Sequence, residues 1–464
     1  MAVTLGIVHG MTLSRPQRAR ATLSYAVAVT STAHTTGLLT DHYELTMLQA
    51  ALRSDAAGRR CVFELFARRL PSGRRYGVVA GTSRVLDALA DFRFDDHALA
   101  FLQARQVVDT ATLDWLAAYR FGGDIWGYPE GETYFPGSPL LVVEGRFAEA
   151  VVLETLVLSI LNHDCAIASA ASRMVGVADG RPVIEMGARR THELAAVAAA
   201  RAAYVAGFAA TANLAAGQRY GIPTTGTAAH SFILLHDDER AAFTAQVESL
   251  GVGTTLLVDT YDITQAVRLA IEIAGTDLGA VRIDSGDLPM LARDVRRQLD
   301  ALGAKRTRVV VTSDLDEFAI AALAAAPVDG YGVGTALVTG SGHPTCGFVY
   351  KLVARAAGPE GTLVAVAKRS TGKLSIGGRK WALRQLSTTG TARAELLGIG
   401  TPPRNDGDDR ELLVPLVQAG ERVYDESLDQ MRERHARSLE ELPPAARQLS
   451  RGEPAIETVY EEKR

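Results

Sequence analysis

A histidine in the middle of the chain lies in a loop of small residues, which is a suitable setting for a reactive group. His230 comes near the end of the run GTAAHS (226–231), and a helix-like run, SFILL (231–235), begins directly after it. Small side chains let a large anionic ligand approach the backbone, and the amides that begin a helix favour a phosphate. The pattern therefore predicts a phosphate-bearing ligand beside His230.

Polar residues follow the neighbouring strand-like runs in the same way. The carboxyl ends of the strands carry the chemistry of an α/β barrel, so the residues after each run can be compared. These residues are Arg189, Arg190, Thr227, Asp259, Asp262, Arg282, Asp284, Ser285, Asp287, Ser313, Asp314, Gly332, Gly334 and Thr335. Glycines and hydroxyls suit a phosphate, arginines neutralise carboxylate or diphosphate, and carboxylates hold Mg²⁺ or orient the histidine. Beside Asp259 and Asp284, His230 can act as a general base or as a nucleophile that ATP phosphorylates.

Each of these residues also has an ordinary structural interpretation. A loop histidine is often only a hydrogen-bonding residue, and Asp262 and Asp316 stand where helix caps are common. The segment DSGD (284–287) resembles the start of a calcium loop, but its glycine comes too early. Independent caps would be scattered along the chain, whereas these residues follow successive strands. Their common position favours a single site.

The elements that position these residues are alternating strands and helices. They recur roughly every 25 to 30 residues, which is the βα signature. The predicted strands are 183–186, 222–225, 254–258, 280–283, 308–311 and 330–333, and the predicted helices are 192–216, 237–250, 263–274, 289–302 and 316–326. The chain has no GxGxxG fingerprint with an acid at the right distance. An irregular, TIM-like α/β barrel is therefore favoured over a Rossmann domain.

We predict an α/β protein in four parts: a flexible extension (1–36), an N-terminal α+β domain (37–150) completed by a return segment (360–400), the barrel (151–358) and a C-terminal segment (359–464). The extension carries arginines and no acid, which mimics a transit peptide, but a flexible tail or a start at Met11 is favoured. The alanine-rich run 194–216 predicts an amphipathic helix that contains Arg201, not a membrane span. The charged tail from Pro402 onwards is expected at the surface.

The composition excludes several classes of protein. A chain of 464 residues with 47% hydrophobic content can bury a large core, which excludes a disordered protein. A net charge of −4 with interspersed acids and bases leaves no basic face for nucleic acid. The three cysteines lie far apart and form neither a CxxC pair nor a disulfide framework. We therefore expect a cytoplasmic protein with no nucleic-acid partner and no membrane span.

Six segments together resemble the nicotinate phosphoribosyltransferase family, in that family's order. They are LTDHYELTM (39–47), EMGARR (185–190), GTAAHS (226–231), VDTYD (258–262), VRIDSGD (281–287) and GVGT (332–335). The likeness runs from about Gly37 to Arg384. The combination is far more specific than any one segment.

The resemblance implies a type II phosphoribosyltransferase that works as a homodimer with active sites at the subunit boundary. Its reaction joins nicotinate and 5-phosphoribosyl 1-diphosphate to give nicotinate mononucleotide and diphosphate in NAD salvage. The resemblance also implies Mg²⁺ and ATP, whose hydrolysis passes through a phosphohistidine that maps onto His230.

Roles for individual residues follow from the same resemblance. Tyr43 of the partner subunit would stack on the pyridine ring, and Thr227 and Arg282 would hold nicotinate. Gly334 and Thr335 would bind the 5-phosphate, and Arg173 and Arg189 would serve anionic groups. Asp259 and Asp284 would orient His230. Ser231, Ser313 and Gly332 complete the predicted substrate-binding residues. We assign no protein ligands to the metal.

Two positions depart from the family pattern, and three alternatives stay open. Met186 stands where the family usually has an aromatic residue, and GGRK (377–380) stands in place of its usual PGxK. A nicotinamide phosphoribosyltransferase would place an aspartate within 207–213, whereas no acid occurs from Arg201 to His236. A quinolinate phosphoribosyltransferase would need a denser cluster of bases. The intact set around His230 argues against a non-catalytic phosphate-binding barrel.

Overall fold

The computed structural model describes residues 35–358, 361–368 and 375–461. The predicted extension therefore lies outside the described residues up to position 34. The helices are α1 His42–Arg53, α2 Thr82–Ala90, α3 Asp96–Ala104, α4 Thr110–Ala117, α5 Phe147–Val151, α6 Glu154–Val177, α7 Glu193–Val205, α8 Leu214–Tyr220, α9 His230–Leu235, α10 Glu239–Leu250, α11 Ile263–Ala274, α12 Leu288–Ala301, α13 Glu317–Ala322, α14 Thr335–Val338 and α15 Leu428–Glu441, with 3-10 turns at Gly37–Leu39, Ala188–Arg190 and Pro444–Arg447.

The strands are β1 Arg60–Ala67, β2 Gly77–Val78, β3 Asp124–Gly127, β4 Thr133–Tyr134, β5 Leu141–Arg146, β6 Val183–Glu185, β7 Ala210–Thr211, β8 Thr255–Leu257, β9 Ala280–Ile283, β10 Arg308–Val311, β11 Gly330–Val333, β12 Phe348–Ala356, β13 Leu363–Ala365, β14 Lys380–Leu386, β15 Ala392–Ile399, β16 Arg410–Glu411, β17 Val414–Gln418, β18 Glu421–Arg422 and β19 Glu457–Tyr460.

A six-stranded parallel sheet contains most of the predicted barrel strands, in the order β7-β6-β11-β10-β9-β8. Val311 in β10 lies opposite Ile283 of β9 and Tyr331 of β11, so the sheet is in register through its centre. Its short, valine-rich strands are largely buried, as expected for parallel strands covered by helices. The α/β class is confirmed, and the sheet is curled into a half-barrel.

The predicted strand at 222–225 is wrong. This segment makes only a single bridge, from Thr224 to Thr211 of β7. Pro223 has no amide hydrogen to give to a ladder, and Gly221, at φ +70°, ends α8 immediately before it. No strand pairing among the described residues joins Thr224 to β8, so the sheet stays open on that side. The chain between these two points carries the His230 loop.

The alanine-rich run 194–216 is also not one amphipathic helix. It breaks at Gly207, which takes φ +105°, and the two-residue strand β7 separates α7 from α8. The alanines of α7 are buried and pack against α6. Arg201 does not face solvent, since it is 3% exposed and donates hydrogen bonds of 2.6 and 2.9 Å to Glu130. Close packing of two helices, which needs small side chains, explains this composition.

One described helical stretch, Phe147–Val177, is long and apolar enough to cross a membrane by length and composition. It comprises α5 and α6, and most of its apolar window is buried inside the fold. Its residues enter both large hydrophobic cores, and Asp164 within it is buried in an ion pair with Arg84. A buried core helix passes the same length test, so this stretch is weak evidence for a membrane span.

A seven-stranded sheet joins segments from the two ends of the chain, in the order β13-β12-β1-β5-β3-β17-β18. Strand β1 lies antiparallel between β5 and β12, and β13 pairs with β12. The sheet therefore combines strands that precede the parallel sheet with strands that follow it. Strand β13 lies in the predicted return segment (360–400) and joins the N-terminal strands as that prediction expects, whereas the predicted domain boundaries stay a prediction.

The charged C-terminal tail is part of the fold, and most of its charged residues are exposed, as expected for surface structure. Strands β17 and β18 belong to the seven-stranded sheet, β19 joins β15, and α15 packs against α7. Arg410 of the tail reaches inward and pairs with the fully buried Glu132 at 2.5 Å and with Glu441 at 2.5 Å. The tail therefore combines an exposed, charged surface with strands that complete two of the sheets.

The three cysteines, Cys61, Cys165 and Cys346, are buried and free. Burial raises the pKa of the Cys61 and Cys346 thiols to about 11. In this structure the three thiols pack as small core residues.

His435 of α15 makes the docking of this helix dependent on pH. The residue is 4% exposed, its Nδ1 lies 3.2 Å from the carbonyl oxygen of Gly131, and its Nε2 is buried without a hydrogen-bond partner. Burial lowers the pKa of His435 to about 4. The unfolded chain takes up this proton below about pH 6.5, whereas the folded chain takes it up only near pH 4. Stability is therefore lost as the pH falls through this window.

We expect the free energy of unfolding to fall by about 3 kcal/mol on account of His435 as the pH is lowered from about 6.5 to about 4. Urea denaturation followed at several pH values across the window measures the loss. His435→Gln should show a shallower pH dependence, by about one proton. The exposed His97→Gln should keep the slope of the unmodified chain, and an unchanged slope in His435→Gln would rule out this assignment.

Candidate active site

A cavity of about 460 Å³ opens at the carboxyl ends of the parallel strands. The predicted site residues that line it are Arg189, Thr227, Arg282, Asp284, Ser313, Gly332, Gly334 and Thr335. Met186, Arg190, Ala212 and Asp314 also contribute to the wall. The strand ends thus bring together residues that are far apart in the sequence.

His230 begins α9, next to this cavity. Its Nδ1 lies 3.0 Å from Oγ1 of Thr260, and its Nε2 lies 4.0 Å from both Oδ1 of Asp259 and Oδ2 of Asp284. The side chain is 41% exposed, so a ligand can reach the ring. One edge of the imidazole therefore faces a hydroxyl and the other faces two carboxylates.

Asp259 and Asp284 are each anchored through one oxygen. Oδ2 of Asp259 accepts hydrogen bonds from the Asp284 amide at 2.9 Å and from Ser285 Oγ at 2.7 Å. Oδ1 of Asp259 is buried and has no hydrogen-bond partner. Oδ1 of Asp284 accepts from the hydroxyl of Thr312. The second oxygen of each carboxylate is left on the side of His230.

Arg282 reaches across the cavity wall to the loop that carries the histidine. Its Nη1 donates to Oγ1 of Thr227 and, at 3.2 Å, to the carbonyl oxygen of Ala228. Its Nη2 lies 3.7 Å from Oδ2 of Asp284, and its buried Nε has no partner. Burial lowers the pKa of Arg282, and the two nearby aspartates oppose that effect. This guanidinium still has donors to offer to an anion.

The turn after β11 lets a ligand approach the backbone. A Cβ on Gly332 would lie 2.5 Å from Cγ2 of Thr312 and 2.7 Å from Sδ of Met186, so the site requires glycine. A Cβ on Gly334 would meet nothing closer than 3.4 Å, so the space beside that residue is open to a ligand. Thr335 follows directly as the first residue of α14. This arrangement suits a phosphate.

Ser313 takes φ +112°, a backbone conformation that residues with a side chain rarely adopt. Strained residues of this kind concentrate at ligand sites, where the surroundings hold them in place. Ser313 and Asp314 both line the wall of the cavity.

Three predicted substrate-binding residues lie outside this cavity. Arg173 on α6 donates from Nε to Glu317 at 3.1 Å and from Nη1 to the carbonyl oxygen of Gly73 at 2.9 Å. Tyr43 on α1 is 44% exposed, and Ser231 is exposed beside His230 on α9. The structure therefore engages Arg173 with protein groups, and the ligand contacts predicted for all three residues stay predictions.

Asp262 and Asp316 are helix caps, as their ordinary structural interpretation predicts, and Asp287 is a helix cap as well. Their carboxylates accept hydrogen bonds of 2.8, 3.0 and 2.8 Å from the amide three residues further on. They begin α11, α12 and α13, whose first amides need an acceptor. The polar residues at the strand ends thus include capping residues as well as cavity residues.

Sequence reasoning missed the residues that hold the site in place, namely Thr260, Thr312 and Glu185. Glu185 is fully buried and accepts from the Gly187 amide and the Thr211 hydroxyl, which fixes the turn that leads to the cavity arginines. Burial raises the pKa of Glu185. Their position in the sequence could have identified these residues, because each one ends a strand or follows a strand closely.

The two basic residues of GGRK (377–380) form ion pairs with acidic residues inside the fold. Lys380 is 2% exposed, and its Nζ donates to Glu64 at 2.7 Å. Arg379 donates from Nε to Glu144 at 2.9 Å. Both are structural residues in this arrangement, so neither is assigned to a diphosphate.

The described ranges contain no group of three or more His, Cys, Asp or Glu side chains placed to hold a metal ion. The cavity wall offers Asp314 as a carboxylate, whereas the second oxygen of Asp284 lies on the side of His230. Proteins commonly bind Mg²⁺ through one or two carboxylates together with substrate phosphates. This donor set fits a Mg²⁺ ion that arrives with a phosphorylated substrate.

Comparisons with known proteins cover nearly the whole chain. Residues 38–162 match the family model of the nicotinate phosphoribosyltransferase N-terminal domain. Over 431 residues the chain is 61% identical to a Mycobacterium tuberculosis protein named nicotinate phosphoribosyltransferase pncB1, covering 91% of this chain and 94% of that protein. A second protein of that organism, named nicotinate phosphoribosyltransferase pncB2, is 42% identical over 426 residues and covers 90% and 89%. The crystal structure of human nicotinic acid phosphoribosyltransferase superposes with a TM-score of 0.78 at 26% identity, covering 91% of this chain and 98% of that one.

Proposed function

This chain belongs to the nicotinate phosphoribosyltransferase family of NAD salvage, and from that premise we propose its complete reaction. It joins nicotinate to 5-phosphoribosyl 1-diphosphate and releases nicotinate mononucleotide and diphosphate, while ATP is hydrolysed through a phosphohistidine at His230. One observation carries the proposal: the ring of His230 faces Asp259 and Asp284 beside a cavity that has an arginine and a glycine turn in its wall.

Arg282 and Thr227 support a carboxylate at their part of the cavity. A guanidinium with unused donors is the group best suited to hold a planar carboxylate, and the hydroxyl adds a further donor. Ala212 lines the same cavity, and no acid occurs from Arg201 to His236 to repel the substrate. These features favour nicotinate over its amide. Met186 provides an apolar surface that can pack on the pyridine ring.

The glycine turn supports the phosphate of the second substrate. The open backbone at Gly334 and the hydroxyl and amide of Thr335 offer donors without a side chain in the way. Gly332 and Ser313 shape the adjoining wall. We assign the 5-phosphate to this turn.

Transfer of the ribosyl group needs stabilised charge more than a protein nucleophile. The bond from the ribose to diphosphate breaks with oxocarbenium character, and the nicotinate nitrogen takes its place at that carbon. Arg189 at the cavity rim neutralises the departing diphosphate. Mg²⁺, for which Asp314 and the substrate phosphates would be the ligands, would add positive charge against the same phosphates when bound.

ATP acts through His230. The γ-phosphoryl group passes from ATP to a ring nitrogen with release of ADP, and water later takes it from the histidine as phosphate. The added charge beside Asp259 and Asp284 rearranges contacts near the diphosphate, which links ATP hydrolysis to substrate affinity.

We further propose a homodimer whose subunits share their sites. Leu38, Leu39 and Tyr43 are all exposed on one short N-terminal stretch, an apolar surface suited to a second copy of the chain. Tyr43 of the partner subunit then stacks on the pyridine ring. Arg173 adds to the positive charge near the site while it keeps its ion pair with Glu317.

Incubation with γ-labelled ATP tests the proposed function. The protein should acquire acid-labile label and release diphosphate when nicotinate and 5-phosphoribosyl 1-diphosphate are present, and it should do so far more slowly with nicotinamide or quinolinate. His230→Ala should lose the label completely. His236→Ala is a matched control, since His236 ends the same short helix and is held by the Phe232 carbonyl at 2.8 Å. Absence of label together with absence of nicotinate-dependent diphosphate release would refute the proposal.

A further inference from the structure

The His230 ring is held at its Nδ1 edge by a single side chain, Thr260. Oγ1 of Thr260 lies 3.0 Å from Nδ1, within hydrogen-bond distance. On the opposite edge, the two carboxylate oxygens lie 4.0 Å from Nε2, which is too far for a direct hydrogen bond. Among the described residues, Thr260 supplies the side-chain hydrogen bond that can fix the rotation of the ring.

With the ring held in this rotation, the carboxylates favour a proton on the nitrogen that faces them, which is Nε2. Oδ1 of Asp259 is buried without a partner, which is costly for a carboxylate oxygen unless a donor faces it. Asp284 presents a second negative oxygen to the same ring edge. A proton on Nε2 is attracted to both oxygens, whereas a lone pair there would be repelled. Nδ1 consequently keeps its lone pair and accepts the hydroxyl proton of Thr260.

We propose that Thr260 is a positioning residue that fixes the rotation and the tautomer of His230, so that the phosphate donor meets one defined ring nitrogen. The inference rests on the proposed function for its consequence in catalysis, but the tautomer itself can be observed without ATP. Thr260 touches the histidine and no other predicted substrate contact, so it acts through His230.

The backbone on both sides of Thr260 is well anchored. Asp259 before it accepts two hydrogen bonds, from the Asp284 amide and Ser285. Asp262 after it caps α11 through the Gln265 amide at 2.8 Å. A threonine between two fixed aspartates has little freedom, so its hydroxyl is pre-organised toward the ring.

The decisive experiment compares Thr260→Val, which removes the hydroxyl but keeps the shape, with Thr260→Ser, which keeps the hydroxyl. Long-range nitrogen-15 NMR of histidine-labelled protein reports the tautomer, and His230→Ala identifies the His230 signals. The unmodified chain and Thr260→Ser should show the Nε2–H tautomer. Thr260→Val should show a mixture, because a ring that is free to turn can present either nitrogen to the carboxylates. An unchanged tautomer in Thr260→Val overturns the inference, whether or not the protein is ever phosphorylated.

A second readout joins the tautomer to ATP use. Phosphohistidine formation in Thr260→Val should fall by about 100-fold, the scale of a misplaced reacting group, and the label should spread over both ring nitrogens. Thr260→Ser should restore the rate and the single position. The exposed Thr264→Val and the unfolding midpoints of all variants control for general damage. Equal labelling of Thr260→Val and the unmodified chain contradicts the inference, whereas no label in any variant, the unmodified chain included, contradicts the proposed function instead.

Discussion

Arg282→Gln lowers kcat/KM for nicotinate by about 100-fold to 1000-fold, because it removes the charge that meets the substrate carboxylate. Truncating one partner of a desolvated, hydrogen-bonded charge pair costs about 2–5 kcal/mol, and each 1.4 kcal/mol corresponds to about tenfold. The side chain of Arg282 is 12% exposed and lies 3.7 Å from Asp284, so water screens the lost charge only weakly. Arg282→Lys keeps the charge but not the paired donors, and its loss should be smaller.

Steady-state kinetics with nicotinate varied at saturating ribosyl donor measures this effect. The matched control is Arg308→Gln, at the exposed amino end of the next strand, which should keep the kinetics of the unmodified chain. The substitution should lower kcat/KM for nicotinamide much less than kcat/KM for nicotinate, because nicotinamide has no carboxylate for Arg282 to bind. The assignment fails if Arg282→Gln loses activity equally for both substrates, because that outcome indicates damage to the Thr227 loop.

The position of the site could be predicted from the sequence because strand ends are visible in the hydrophobic pattern. Short apolar runs are enough to place Arg282, Asp284 and Gly332 at the same edge of a sheet. Whether a strand-end acid faces the cavity or caps a helix depends on which donors lie within its reach in the folded chain. The sequence pattern does not contain those positions, and for this reason it could not separate Asp262 and Asp287 from Asp284.

The hydroxyl groups that hold the site could not be selected from the sequence. Serine and threonine are common at strand ends, and only the distances distinguish Thr260 and Thr312 from their neighbours. Arg173 shows the opposite difficulty. The residue type does not show whether a buried arginine binds a ligand or an internal acid such as Glu317. Only the distances in the folded chain distinguish these two cases.

The fold departed from the pattern where backbone chemistry or burial overrode it. Pro223 cannot donate to a ladder, and Gly207 adopts a left-handed conformation that ends α7, so neither predicted element survives intact. The tail was expected at the surface because charged residues usually are, and most of its charges are exposed. The charge pattern did not show that its strands join the sheets or that Arg410 reaches the buried Glu132.

Arg384→Met destabilises the protein by about 3–5 kcal/mol, the usual cost of removing one partner from a buried ion pair. Arg384 is fully buried, and its guanidinium donates to Glu395 at 2.8 Å and to the hydroxyl and carbonyl oxygens of Thr133 at 3.0 and 2.8 Å. Glu132 lies 3.6 Å away but retains Arg410 as a partner. Glu395 would be the carboxylate left without a cation, in a place where burial already raises its pKa.

That asymmetry makes the double variant Arg384→Met/Glu395→Gln informative. It removes the stranded carboxylate, so it should recover about 1–3 kcal/mol relative to Arg384→Met, since an unpaired buried charge accounts for much of the loss. Urea unfolding of the single and double variants, with Glu395→Gln to complete the cycle, measures the coupling.

Arg306→Met is the control: it removes an exposed partner of Asp277 and should change stability by less than about 0.5 kcal/mol. A double variant no more stable than Arg384→Met would show that lost packing against Phe135, 5.3 Å from the guanidinium, outweighs the ion pair.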